Sequence, residues 1–407
     1  MSDESTNPVK QALGKLWSRF IRLFTSFGLT TVLLLTLLLL TWLGTLYQVD
    51  NGLLKAQRKY FESWFLLHEA GSLKIPLPGA HLVLWIFALN MLIGGLVRVI
   101  IRISKGVPVV GILIGHLGIV LLVSAGAVKI WFSDDGLMRL AEGESGAEFQ
   151  SSIDWEIAIW KAPDGSEPAL QHVIDGSEFY DVELGDWRRF THEALPFELY
   201  IEGYMESSVP EPATPDRSGK EIDGFVLTPK KWHTEDEKIR NVGGVYAMIR
   251  EKGGRENPAI LWGLELHPWT TTIGGESWQV RMRPKTWDLP FTVKLIDAHR
   301  KDHPGTSMAA EYSSDIEWYE DGSPNKHHIE MNAPLRRNGY TLFQTGYEDV
   351  KNPDTGAITT YSTFSVVRNP SDYWPELACW IIAAGLLIHF LSKVSRYVVS
   401  QIRRRSA

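Results

Sequence analysis

Four apolar segments, each about 20 residues long, frame one large polar insert, and this spacing decides what the chain can fold into. In hydrocarbon an open backbone N–H or C=O finds no partner, so a segment of that length crosses a bilayer as a helix. The segments run from about Leu29 to Tyr47, Leu82 to Ile101, Val107 to Phe132 and Tyr373 to Leu391. Charged residues make up an ordinary 22% of the chain, because the average mixes a membrane part with a water-soluble part.

Flanking charge orients the spans. Lys10, Lys15, Arg19 and Arg22 precede the first; Arg98, Arg102 and Lys105 lie in the short link between the second and third; Lys393, Arg396 and Arg403 to Arg405 follow the fourth. All three clusters fall on one face, which the positive-inside rule makes cytoplasmic. The expected organisation is a cytoplasmic segment at 1–27, three transmembrane helices within 28–132, an extracytoplasmic domain at 133–372, a fourth helix at 373–391 and a basic cytoplasmic tail at 392–407. The first apolar segment is too long for a removable signal peptide, lacks a small-residue cleavage site, and reads as an uncleaved anchor. A net charge of -7, spread along the chain, argues against a nucleic-acid partner. The lone Cys379 permits no internal disulfide, so any thiol chemistry requires a separate thiol-reducing protein.

The insert reads as β-rich. Alternating apolar and polar residues recur in 155–159, 197–202, 278–283 and 291–295, the pattern of half-buried strands. Asp321-Gly322 separates 315–319 from 328–331 as a hairpin with a longish loop, and 340–343 pairs with 361–367 through Asn352 to Gly356. From about Met205 to Glu237, rich in proline and charge, the pattern predicts a long surface loop. The fold class is thus a mixed membrane protein, with four transmembrane α-helices and a β-rich, sandwich-like extracytoplasmic domain between helices three and four.

One residue inside the third segment demands explanation. His116 interrupts the run from Val107 to Val123, and an ionisable or metal-binding side chain in lipid is costly enough to signal function or an internal partner.

Several stretches carry a family resemblance. Phe291 to Arg300, His303-Pro-Gly-Thr306, Tyr312 to Ile316, Asn332 to Tyr347 with its Pro-Leu-x-x-x-Gly-Tyr-x-x-x-Gln run, and Ser362 to Pro370 resemble the ResB (CcsB) family of cytochrome c biogenesis proteins. The order of three spans, a large domain and a fourth span is similar along essentially the whole chain. The chain departs from the family pattern around Met308 to Glu311, and nothing quotable matches between Ser207 and His267.

The resemblance implies a membrane subunit, not catalytic alone, of a complex that delivers haem b and attaches it to apocytochrome c at a Cys-x-x-Cys-His motif. It implies a bacterial cytoplasmic membrane, with the large domain on the periplasmic side. The implied partner is a ResC/CcsA-type protein with a Trp-Gly-x-x-Trp-x-Trp-Asp signature that this chain lacks. In the family one transmembrane histidine of the ResB part pairs across haem with a histidine of the partner, and His116 is the matching position. Neutral imidazole ligates haem iron well. At about 100° per residue Gly111, Gly115 and Gly118 cluster away from His116, so a neighbouring helix can approach the glycines while the ring faces a cavity or a partner.

His389 is a second candidate, with Gly385 one turn before it leaving room beside the ring. Arg98, Arg102 and Lys105 stand where they can neutralise haem propionates, although plain topology also explains them. His172, His192, His233, His267, His299, His303, His327 and His328 read as surface or packing residues, and Trp42, Trp85, Trp131, Trp374 and Trp380 as aromatic belts. No nucleophile or carboxylate constellation stands out. The insert is expected to dock the partner and present apocytochrome. Two other classes stay open at this point: an anchored binding or scaffold protein without haem, and an anchored hydrolase.

Overall fold

The structure, a computed structural model, describes residues 8–105, 109–162, 170–214, 219–232, 241–251, 253–320 and 322–405. Val107, Asp321, His233 and the end of the 205–237 stretch lie outside the described residues. Two compact units emerge: Met1–Ser133 with Asn369–Ala407, and Asp134–Arg368.

Among the described residues the first unit holds four helices long and apolar enough to cross a membrane, at Phe27–Asn51, Ala80–Ser104, Val110–Phe132 and Trp374–Arg405. A shorter helix, Pro8–Phe24, precedes them and breaks at Thr25-Ser26. Ser26 caps the first span by accepting a hydrogen bond from the Gly28 N–H at 3.0 Å. The fourth helix does not stop near Leu391 but continues through the basic tail to Arg405. No glycine or proline intervenes there, and three arginines in the last turn suit the negative end of the helix dipole. Between the first two spans the chain forms a small hairpin of strands Phe65–Ala70 and Leu73–Pro78.

The second span is not uniformly α-helical. Met91–Val97 winds as a π-helix between α-helical Ala80–Asn90 and Arg98–Ser104, an irregularity that often accompanies a functional position. Spans three and four pack backbone against backbone. A Cβ on Gly385 would lie 2.5 Å from Gly115 N, and one on Gly118 2.9 Å from Ala378 O, so only glycine permits this approach.

The second unit is built on a 10-stranded sheet and a 4-stranded sheet. Two long strands, Ser145–Lys161 and Glu276–Asp302, run through the larger sheet, so 278–283 and 291–295 are parts of one strand with register shifts at Pro284 and after Asp288. One core lies where the small sheet covers the large one: Trp155, Ile157 and Ile159 meet Leu199, Ala247, Ile249 and Val280. In the second core Val293, Ile316, Ile329, Leu342 and Phe364 interdigitate. Two sandwich-like halves thus share the same long strands. Glu156 is 4% exposed and accepts a hydrogen bond from Arg283 Nε at 2.7 Å.

The stretch expected as a long loop contains a second hairpin. Ser208–Pro212 pairs with Phe225–Pro229, burying Val226 and Leu227, while Leu227 N donates to Tyr246 Oη at 2.9 Å. Prolines at 210 and 212 hide the alternation, and proline is tolerated on such an edge. The 309–330 hairpin turns tightly, Glu320 opposite Ser323, instead of through a longish loop.

Candidate functional site

His116 lies on the third span, seven residues into the helix, about 10 Å from its start at ~1.5 Å per residue. Its Nδ1–H donates to Ile112 O at 2.8 Å, one turn back. A carbonyl only accepts, so this bond fixes the proton on Nδ1 and leaves the Nε2 lone pair available. No hydrogen bond to Nε2 exists among the described residues.

The ring lines a cavity of about 280 Å³. The π-helical stretch of span two makes one wall, the Thr25-Ser26 break another, and the start of span three a third. Gly95 is required here: a Cβ would collide with His116 Cδ2 and stand 3.1 Å from Nε2. Gly94 is required by the break, where a Cβ would lie 2.8 Å from Phe24 O. Asn90, 3% exposed, ties the walls together, donating to Phe24 O at 2.8 Å and accepting from Thr30 Oγ1 at 2.8 Å.

The cavity is positive. Arg98 and Arg102 line it, with the Arg98 guanidinium 5.9 Å from the centre of the Phe27 ring, and no carboxylate stands among its described lining residues. An imidazole acceptor and two guanidinium groups, among apolar side chains and the small polar groups of Thr25, Ser26, Thr30 and Asn90, suit a largely apolar ligand that carries both a metal and negative charge. At about 280 Å³ the space lies just below the usual range of ligand pockets, roughly 300–1,000 Å³, and is too small to enclose a large macrocycle.

The structure brings His116, Arg98 and Arg102 to one cavity; His389 is not among its lining residues. The room expected beside His389 at Gly385 is filled by the Gly111 and Gly115 backbone, and the His389 N lies 2.5 Å from where a Gly111 Cβ would stand. Its ring meets Phe390, centroids 5.8 Å apart. Elsewhere in this unit His81, 6% exposed, has its Nε2 occupied by the Trp85 indole N–H at 3.1 Å. His68 Nδ1 is hydrogen-bonded to Tyr60 Oη at 2.6 Å.

Sequence reasoning did not single out Asn90, Thr30, Gly94 or Gly95. A signal was there: Asn90 is an amide inside an apolar span, followed by a glycine pair.

In the β unit, His299 and His328, far apart in sequence, meet across Asp315. His299 Nε2 lies 2.9 Å from Asp315 Oδ2 and His328 Nδ1 2.7 Å from Oδ1. The hydrogen bond to Asp315 holds the His299 pKa above its usual value, and the same bond, with that from His328, holds Asp315 below the usual carboxylate range. Among the described residues no group of three or more His, Cys, Asp or Glu has a metal-holding arrangement.

Residues 270–360 match the sequence model of the ResB-like family, so the resemblance is shown over that stretch. That family fits a role in cytochrome c biogenesis. No curated protein matches the chain.

Proposed function

We propose that this chain is the ResB-like membrane subunit of a cytochrome c maturation complex, and that it holds haem b in transit by the Nε2 of His116. The observation that carries this reading is the free Nε2 lone pair inside a cavity lined by two arginines and no described carboxylate. Haem brings an iron that imidazole ligates and propionates that guanidinium groups neutralise. In this reading Arg98 and Arg102 take the propionates and Gly95 keeps the imidazole edge in place. A ResC/CcsA-type partner covers the part of the macrocycle that the cavity cannot enclose and supplies the second axial histidine. His389 serves span packing here rather than the iron. In this reading the cavity faces the cytoplasmic side of a bacterial inner membrane, as the positive-inside rule supports for the flanking basic clusters, and the β unit lies outside and docks the partner and apocytochrome c. A separate thiol-reducing protein keeps the substrate cysteines reduced, because the chain's one cysteine is inside a span.

The test is co-expression with the partner, purification and a haem spectrum. The expected result is haem bound to the wild-type complex, lost in His116→Gly, and restored when imidazole is added as a replacement ligand. Equal haem content in His116→Gly without imidazole sinks the reading.

A further inference from the structure

We propose that helix Pro8–Phe24 is an in-plane anchor that binds the anionic phospholipid surface on the side of the membrane where the termini lie. At about 100° per residue, Leu13, Leu16, Trp17, Phe20, Leu23 and Phe24 fall on one arc of this helix. Lys15, Ser18, Arg19 and Arg22 fall on the opposite arc, and the helix contains no acidic residue. This is the pattern of a helix lying at a membrane interface.

Among the described residues most of the apolar arc is left uncovered. Leu13, Leu16, Trp17 and Leu23 are 59%, 66%, 65% and 55% exposed, a continuous apolar stripe that water does not favour. Its place in the fold selects the occupant. Only Thr25 and Ser26 separate the helix from the first residue of span one, so its end is fixed at the level where hydrocarbon begins. A stripe starting there meets lipid before it meets any soluble protein. The three cations opposite then face the headgroups, and each is attracted by negative surface potential.

The same helix is bolted to the His116 cavity. Phe24 O accepts from Asn90, and the break at Thr25-Ser26 forms a cavity wall, so the helix's seat on lipid sets where that wall stands. Binding to lipid does not depend on haem, and the test contains none.

The full chain carrying Cys379→Ser, with a nitroxide on Leu16→Cys or on Ser18→Cys, is reconstituted in nanodiscs of phosphatidylcholine with or without phosphatidylglycerol. Accessibility to oxygen and to a water-soluble nickel chelate reports depth. With the anionic lipid, position 16 is expected to favour oxygen severalfold over the chelate and position 18 the reverse. The contrast at 16 is expected to fall severalfold without phosphatidylglycerol, and in both lipids when Lys15→Gln, Arg19→Gln and Arg22→Gln are combined. Three results overturn the proposal: equal chelate access at 16 and 18 in anionic discs, a contrast indifferent to lipid charge, or shielding of position 16 from both probes, which would indicate cover by protein.

Discussion

The edge of the His116 ring occupies the space that a side chain at residue 95 would need, so that a Cβ on Gly95 would stand 3.1 Å from Nε2. Gly95→Ala therefore displaces the imidazole without touching the ligand atom chemically. Overpacking of this kind costs about 1–3 kcal/mol, which is roughly 5- to 150-fold in an equilibrium. The expected outcome is haem content of the purified complex reduced by about that factor. Gly126→Ala, where a methyl meets open space, should leave it unchanged. Equal loss in both variants would assign the effect to general span packing.

Asn90 joins span two to both the break and span one through Phe24 O and Thr30. Hydrogen bonds between membrane helices contribute about 0.6 kcal/mol each on average, so Asn90→Leu is expected to cost roughly 1 kcal/mol and Thr30→Val about half of that. Unfolding in graded mixtures of mild and denaturing detergent measures both. The double variant should cost little more than Asn90→Leu alone, since the two share one bond.

The four spans were legible because hydropathy acts over whole segments. What the sequence obscured are contacts set by single atoms. Gly385 reads as open space beside His389 until the Gly115 backbone is seen filling it. His299 and His328 are adjacent only through strand register, Asp315 opposite His328, which no local pattern encodes. Residues 278–283 and 291–295 read as separate strands because Pro284 and Pro290 interrupt the alternation, whereas bulges absorb the interruption in one long strand. The pairing of 340–343 with 361–367 is present, whereas the turn before it was not read although its signal was there: Asn338-Gly339, with φ of 49° and 80°, is the dipeptide that a tight two-residue turn between paired Arg337 and Tyr340 requires.

The glutamine that ends the Pro-Leu-x-x-x-Gly-Tyr-x-x-x-Gln run is a core connector. Gln344, 4% exposed, donates to Ser362 Oγ at 2.8 Å and accepts from Ser314 Oγ at 2.9 Å, both serines being fully buried. Gln344→Ala leaves these hydroxyls underpartnered and is expected to destabilise the β unit by about 1–3 kcal/mol. Limited proteolysis of the full chain, following cuts within 134–368 against denaturant, reads the change. Adding Ser314→Ala and Ser362→Ala should recover part of the loss, because it removes the stranded polar groups; no recovery would place the cost in lost packing volume.

The His299–Asp315–His328 cluster is expected to make the stability of the β unit depend on pH on two sides. Its bond to Asp315 raises the His299 pKa, so its contribution is complete below the unfolded value of about 6.5 and is lost as pH rises through the higher folded value. Asp315 is lowered by its bonds to His299 and His328, so its contribution is complete above about 3.9 and is lost as pH falls through the lower folded value. Stability from this cluster is therefore expected to be greatest between about pH 4 and 6.5 and to decline on either side. Since His299 and Asp315 have side chains 45% and 48% exposed, solvent screens the effect and added salt should shrink it. Denaturant midpoints of the β unit within the full chain, measured from pH 3 to 9 for wild type and Asp315→Asn, test this. Asp315→Asn should flatten both limbs, and a profile identical to wild type would show that the cluster does not set the pH response.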